Sequence, residues 1–263
     1  MRPPSLIPSG TRRPGKRSIV RGCRLRPLGQ ADSEGTRLRE WYVPRRGPRR
    51  LRLLVGLSFY PYSLMNASYV LIGSLIAPMV HVERMAALAV VYLLAVGVSA
   101  HCLDAMAPNR PWGNFFSRRQ LAAVAAAALV PSLGLGLYLA LTYAPLLLMV
   151  GAVELFFLLA YNLELFGGAF HTDLWFATSW GFLPVIAGFV VQADTVSVAS
   201  VAAGLFGFFT AYVEISASRP YKAIKQEQGG GSPLAAKLEG ILKGIVLAVI
   251  STAAFLMALA FSH

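Results

Sequence analysis

Seven stretches of about 20 apolar residues, divided by short polar or proline-bearing gaps, leave this chain few folds. They run over about 56–80, 85–104, 119–141, 144–166, 173–193, 195–217 and 241–261. A helix of roughly 20 residues crosses a hydrocarbon core of about 30 Å, and inside that core only helices or closed barrels satisfy their own backbone. The gaps His81–Arg84, Tyr143–Pro145 and Gln192–Thr195 are so short that successive helices must run antiparallel. The expected fold is all-α, a polytopic membrane helix bundle of about seven transmembrane helices. Charge content agrees: 14% of the 263 residues are charged, against roughly 25% in soluble domains, and mean hydropathy is +0.58.

The net charge of +12 is concentrated at one end, because fifteen of the 24 Lys and Arg precede Leu53. A basic tail on an apolar body suits anionic headgroups and topology control, and argues against a nucleic-acid partner. Residues 1–52 are accordingly read as a basic, disordered N-terminal tail rich in Pro, Gly and Arg, and 53–263 as the transmembrane bundle. The first thirty residues carry no acid, so a targeting peptide is the alternative reading of that stretch. Cys23 and Cys102 suggest no disulfide framework and are read as free thiols.

With a cytoplasmic tail, the inner loops are about 105–118, 167–172 and 218–240. Arg110, Arg118, Arg119, Arg219, Lys222, Lys225, Lys237 and Lys243 lie in or beside them, and only Arg84 lies outside. This asymmetry predicts a cytoplasmic N-terminus, with a bacterial inner membrane as the expected location. It also brings Asp104, Glu164 and Glu214 to the inner ends of their helices. Small residues at Ala122–Ala128, Gly134, Gly136 and Ala202–Gly207 are expected to form packing faces. Pro78, Pro131 and Pro184 are expected to kink or end helices, and 226–233, QEQGGGSP, reads as a linker.

Polar side chains gather where apolar runs stop. Asn66, His101, Asp104, Asn109, Arg110, Asn162, Glu164, His171, Asp173, Glu214 and Arg219 all fall near the inner face. Ionisable residues inside spans tend to face the interior of a bundle and to carry function. Carboxylates and amides offer hard oxygens that suit Mg2+, while Arg and Lys suit phosphate. Such a set at one cavity mouth is what a Mg2+-diphosphate headgroup requires, with the bundle above left for a hydrocarbon tail.

Three stretches in order resemble the UbiA superfamily of intramembrane prenyltransferases: YPYSLMNASYVLIGSLIAP at 60–78, AHCLDAMAPNRPWG at 100–113, and YNLELFGGAFHTDLWFATSWGFLPVIAGF at 161–189. The first is similar to the family's opening helix, the second to its first Asp-rich motif and the Arg-Pro that follows. The third resembles a helix end at a Tyr, a short turn and a re-entry through Trp180, Gly181 and Pro184. Of the first motif's acids the chain keeps only Asp104, and where a second Asp-rich motif would stand it has Glu214, followed by Arg219 and Lys222.

The resemblance implies transfer of an isoprenoid group from a prenyl diphosphate to a lipophilic acceptor, with membrane lipids as surroundings. Mg2+ would be held by Asp104, with Glu164, Asp173 and Glu214 as further candidate ligands. Asp104, His101 and His171 are the candidate catalytic residues, the histidines as proton acceptors. Asn66, Asn109, Arg110, Tyr161, Asn162, Arg219 and Lys222 are the candidate substrate-binding residues. Tyr161, Trp175 and Phe176 would shield an allylic cation, or else form an interfacial belt. The thinned acidic motifs motivate an alternative, a non-catalytic UbiA-like membrane protein that binds or carries a lipid.

Overall fold

The computed structural model describes residues 38–106, 115–228 and 232–262. Among them the secondary structure is helical, without strands. The helices are α1 (Arg49–Ser58), α2 (Tyr60–Leu75), α3 (Val82–Ala105), α4 (Arg118–Thr142), α5 (Leu147–Asn162), α6 (Asp173–Ala193), α7 (Val198–Gln228) and α8 (Pro233–Phe261). Asn109, Arg110 and Cys23 lie outside the described residues.

Five helices, α3, α4, α6, α7 and α8, are long and apolar enough to cross a membrane. The other two expected spans are shorter. α2 and α5 have 16 residues each, about 24 Å at a rise of about 1.5 Å per residue. The expected first span, 56–80, breaks because Phe59 adopts a left-handed conformation (φ 43°) immediately before Tyr60 and Pro61. α2 is also the most enclosed helix. Its buried Ser63, Asn66, Ser68 and Ser74 are surrounded by protein and need no apolar solvent around them.

α2 packs chiefly on α6, α8 and α3. The α2–α6 crossing is in backbone contact: a Cβ on Gly73 would lie 1.9 Å from Val185 O, and one on Gly188 would lie 2.1 Å from Val70 O. Ser74 Oγ donates to Gly188 O at the same crossing (2.9 Å). The expected packing role of Gly207 is realised against Gly181 of α6, whereas Gly134 has nothing near it and Gly136 has only Val91 at 3.9 Å. Those two glycines of α4 leave open wall instead of contact.

Two helices carry a π-helical stretch, Ala95–Ala100 in α3 and Thr178–Phe182 in α6. The second follows from Pro184, which has no N–H to give to the carbonyl of Trp180 four residues earlier. α4 begins at a capping box, in which Ser117 Oγ accepts from Gln120 N (3.2 Å) and Gln120 Oε1 accepts from Ser117 N (2.9 Å).

Within 38–52, read from composition as part of a disordered tail, residues 40–43 and Arg52 are packed while 44–51 are exposed. Tyr42 and Val43 are buried, Arg52 donates to Pro44 O (2.7 Å) and Leu38 O (3.0 Å), and Glu40 pairs with Lys225 at 3.2 Å. The aromatic pair Trp41–Tyr42 supplies apolar burial that the arginines around it conceal in composition.

Candidate functional site

Antiparallel order brings the start of α2, the end of α3, the end of α5, the start of α6 and the later part of α7 to one side of the bundle. A cavity of about 630 Å3 begins among these ends and continues between α3, α4 and α5. His101, Asp104, Tyr161, Asn162, His171, Glu214, Arg219 and Lys222 all line it. Both π-helical stretches contribute wall, through Ala95, Val96 and Ala100 on one side and Ser179 and Trp180 on the other. π-bulges recur at functional sites because they turn side chains and free carbonyls that a regular helix would use.

The polar end is held by a few contacts. His101 Nε2 lies 3.4 Å from Ser63 Oγ, and its ring packs on Phe59 at 4.8 Å. His171 Nδ1 lies 3.0 Å from Tyr161 O, and its ring stacks on Tyr161 at 4.3 Å. Arg219 donates to His171 O (3.2 Å), and its Nε stands 2.8 Å from Asp173 Oδ1, an ion pair fixing α7 to the entry of α6. Lys222 Nζ lies 5.6 Å from the Phe59 ring centroid. Glu214 is buried, and its Oε2 has no hydrogen-bond partner among the described residues. Phe59, His101, Trp180, Phe176, Tyr161 and His171 form a continuous row of ring contacts along the wall.

Three expected site residues stand elsewhere. Asn66 is turned into the α2–α6 contact, where Nδ2 donates to Trp180 O at 2.8 Å, the carbonyl that Pro184 leaves without its helical donor. It is not part of the cavity lining. Asp173 is also outside the lining, paired with Arg219. Glu164 is exposed, because α5 ends at Asn162 and Glu164 follows with φ 52° in the turn toward α6. Its carboxylate therefore leaves the helix face that Tyr161 and Asn162 present to the cavity. Of the candidate metal ligands, Asp104 and Glu214 remain in the lining. No group of three or more His, Cys, Asp or Glu that could hold a metal ion occurs among the described residues.

The rest of the cavity is apolar, with Leu88 and Val91 of α3, Leu133 and Leu137 of α4, and Leu148 and Leu155 of α5 among its walls. Leu133, Leu137 and Leu148 line it while remaining 44%, 49% and 43% exposed. These half-exposed leucines stand on α4 and α5. Sequence reasoning missed Glu154, which stands in this apolar part and accepts from Tyr92 OH at 2.9 Å. Its signal was an acid midway along the 144–166 apolar run, away from the helix ends where polar residues were sought.

Comparisons with protein-family models, with curated proteins and with solved structures find no match to this chain.

Proposed function

We propose that this chain is a UbiA-like membrane prenyltransferase, moving an isoprenoid group from a prenyl diphosphate to a lipophilic acceptor. The observation that carries the reading is one continuous cavity, with acids, bases and histidines at its mouth and leucine and valine walls beyond. Arg219 and Lys222 suit the departing diphosphate, whose charge grows as the allylic C–O bond breaks and the oxygen takes the electron pair. The ring row from Phe59 to His171 offers π faces to the cation left behind. The acceptor attacks that carbon and gives up its proton, for which His101 and His171 are the bases in the lining.

Asp104 and Glu214 would hold Mg2+, which when bound supplies positive charge to the diphosphate. Two carboxylates fit this ion because Mg2+ is commonly held by one or two acids together with substrate phosphates and water. The partnerless Glu214 Oε2 supports the same fit. The charge asymmetry of the loops orients the mouth toward the cytoplasm of a bacterial inner membrane.

A second reading, a non-catalytic lipid-binding or carrying protein, is favoured by the lack of any group of three or more metal-ligating side chains among the described residues. The test uses purified protein in nanodiscs, labelled farnesyl or geranylgeranyl diphosphate, Mg2+ and a panel of lipophilic acceptors. Release of diphosphate that is lost in Asp104→Asn and Glu214→Gln supports the transferase. Saturable binding with no release in the presence of any of the acceptors supports the carrier and overturns the transferase.

A further inference from the structure

The carboxylate of Glu154 is the polar feature of the apolar chamber that neither reading uses. It lies eight residues before Asn162, the end of α5 at the cavity mouth, which places it about 12 Å deeper along the helix axis at about 1.5 Å per residue. Tyr92, on the facing wall of α3, donates to Oε1 at 2.9 Å. No other hydrogen bond or ion pair to Glu154 exists among the described residues, so Oε2 has no partner while the side chain lines the chamber beside leucines and valines. An acid in such surroundings is costly unless something pairs with it, and a plain hydrocarbon tail pairs with nothing.

We propose that the apolar chamber takes an amphiphile carrying a hydrogen-bond donor, a hydroxyl or an ammonium, which docks on Glu154 Oε2 well inside the bundle. Tyr92 fixes the carboxylate by holding Oε1, so Oε2 keeps one direction toward the ligand. The inference concerns binding alone and holds whether or not diphosphate is cleaved at the mouth.

The experiment measures displacement of tritiated geranylgeraniol from nanodisc-embedded protein, without Mg2+ or diphosphate. The competitors are unlabelled geranylgeraniol, geranylgeranylamine and a hydrocarbon of equal length. Wild type should prefer the alcohol or the amine over the hydrocarbon by roughly tenfold or more, the range of a buried hydrogen bond to a charged group. Glu154→Leu should erase the preference while hydrocarbon binding persists, which shows that the chamber is intact. Glu154→Gln should keep the alcohol preference and lose that for the amine. Equal binding of all three competitors by wild type, or a preference unchanged in Glu154→Leu, overturns the proposal. Either result leaves the diphosphate-release assay unaffected, so the two ideas fail separately.

Discussion

Asn66 of α2 reaches across a helix contact to supply the hydrogen bond that Pro184 denies to Trp180: its Nδ2 lies 2.8 Å from the Trp180 carbonyl oxygen. This joins the most enclosed helix to the π-helical bend that forms one cavity wall. Asn66→Leu keeps side-chain bulk and removes the donor, leaving a buried carbonyl unpaired. The expected loss is about 1–3 kcal/mol of stability, read from thermal unfolding in detergent. Pro184→Ala in the same background restores the helical N–H, and it should recover part of the loss.

Glu40 and Lys225 form an ion pair at 3.2 Å with side chains only 7% and 4% exposed, and beside it Tyr221 OH lies 3.0 Å from Glu40 Oε2 and 3.0 Å from Glu239 Oε2, with one hydrogen shared between them. Lys225→Met leaves Glu40 charged and buried. The expected cost is about 3–5 kcal/mol. The double variant Glu40→Gln with Lys225→Met should cost less than Lys225→Met alone, a sign of coupling that a double-mutant cycle measures.

Gly188→Ala places a methyl group 2.1 Å from the backbone of Val70, and backbone cannot move aside as a side chain does. We expect at least about 1–3 kcal/mol of destabilisation or failure to fold. Gly134→Ala meets nothing within 4 Å. It should be neutral or stabilise by up to about 1 kcal/mol through helix propensity. Parallel melting curves of the two variants check both outcomes.

Asp104 lines the cavity while Glu164 is exposed on the α5–α6 turn. In the diphosphate-release assay, Asp104→Asn should lower the rate by about a hundredfold or more, the scale seen for loss of an electrostatic partner at a reacting centre. Glu164→Gln should leave it within about twofold, since a surface charge beyond the site is largely screened. Equal losses in both variants would contradict this placement of the site.

The bundle was legible because apolar run length is a direct demand of the bilayer, and gaps such as Tyr143–Pro145 dictate antiparallel neighbours. The break before α2 was less so: Pro61 marks a possible helix start, but nothing in the residue type of Phe59 announces a left-handed backbone. The gathering of His101, Asp104, Tyr161, Asn162, Glu214 and Lys222 about one cavity could be argued from helix ends alone. Direction could not. Asn66 and Glu164 each lie near the right level, yet a proline 118 positions away in one case and an early helix end in the other turn them elsewhere. Glu154 and Tyr92 were overlooked because attention to termini misses a pair formed midway along two walls.

The apolar chamber between α3, α4 and α5 changes what concentration means for this protein. A lipophilic molecule that fills it is dissolved in the leaflet and searches in two dimensions, so occupancy follows its mole fraction among the lipids and not its amount in water. Diluting the sample with buffer should therefore leave saturation nearly unchanged, whereas adding empty bilayer should strip the chamber.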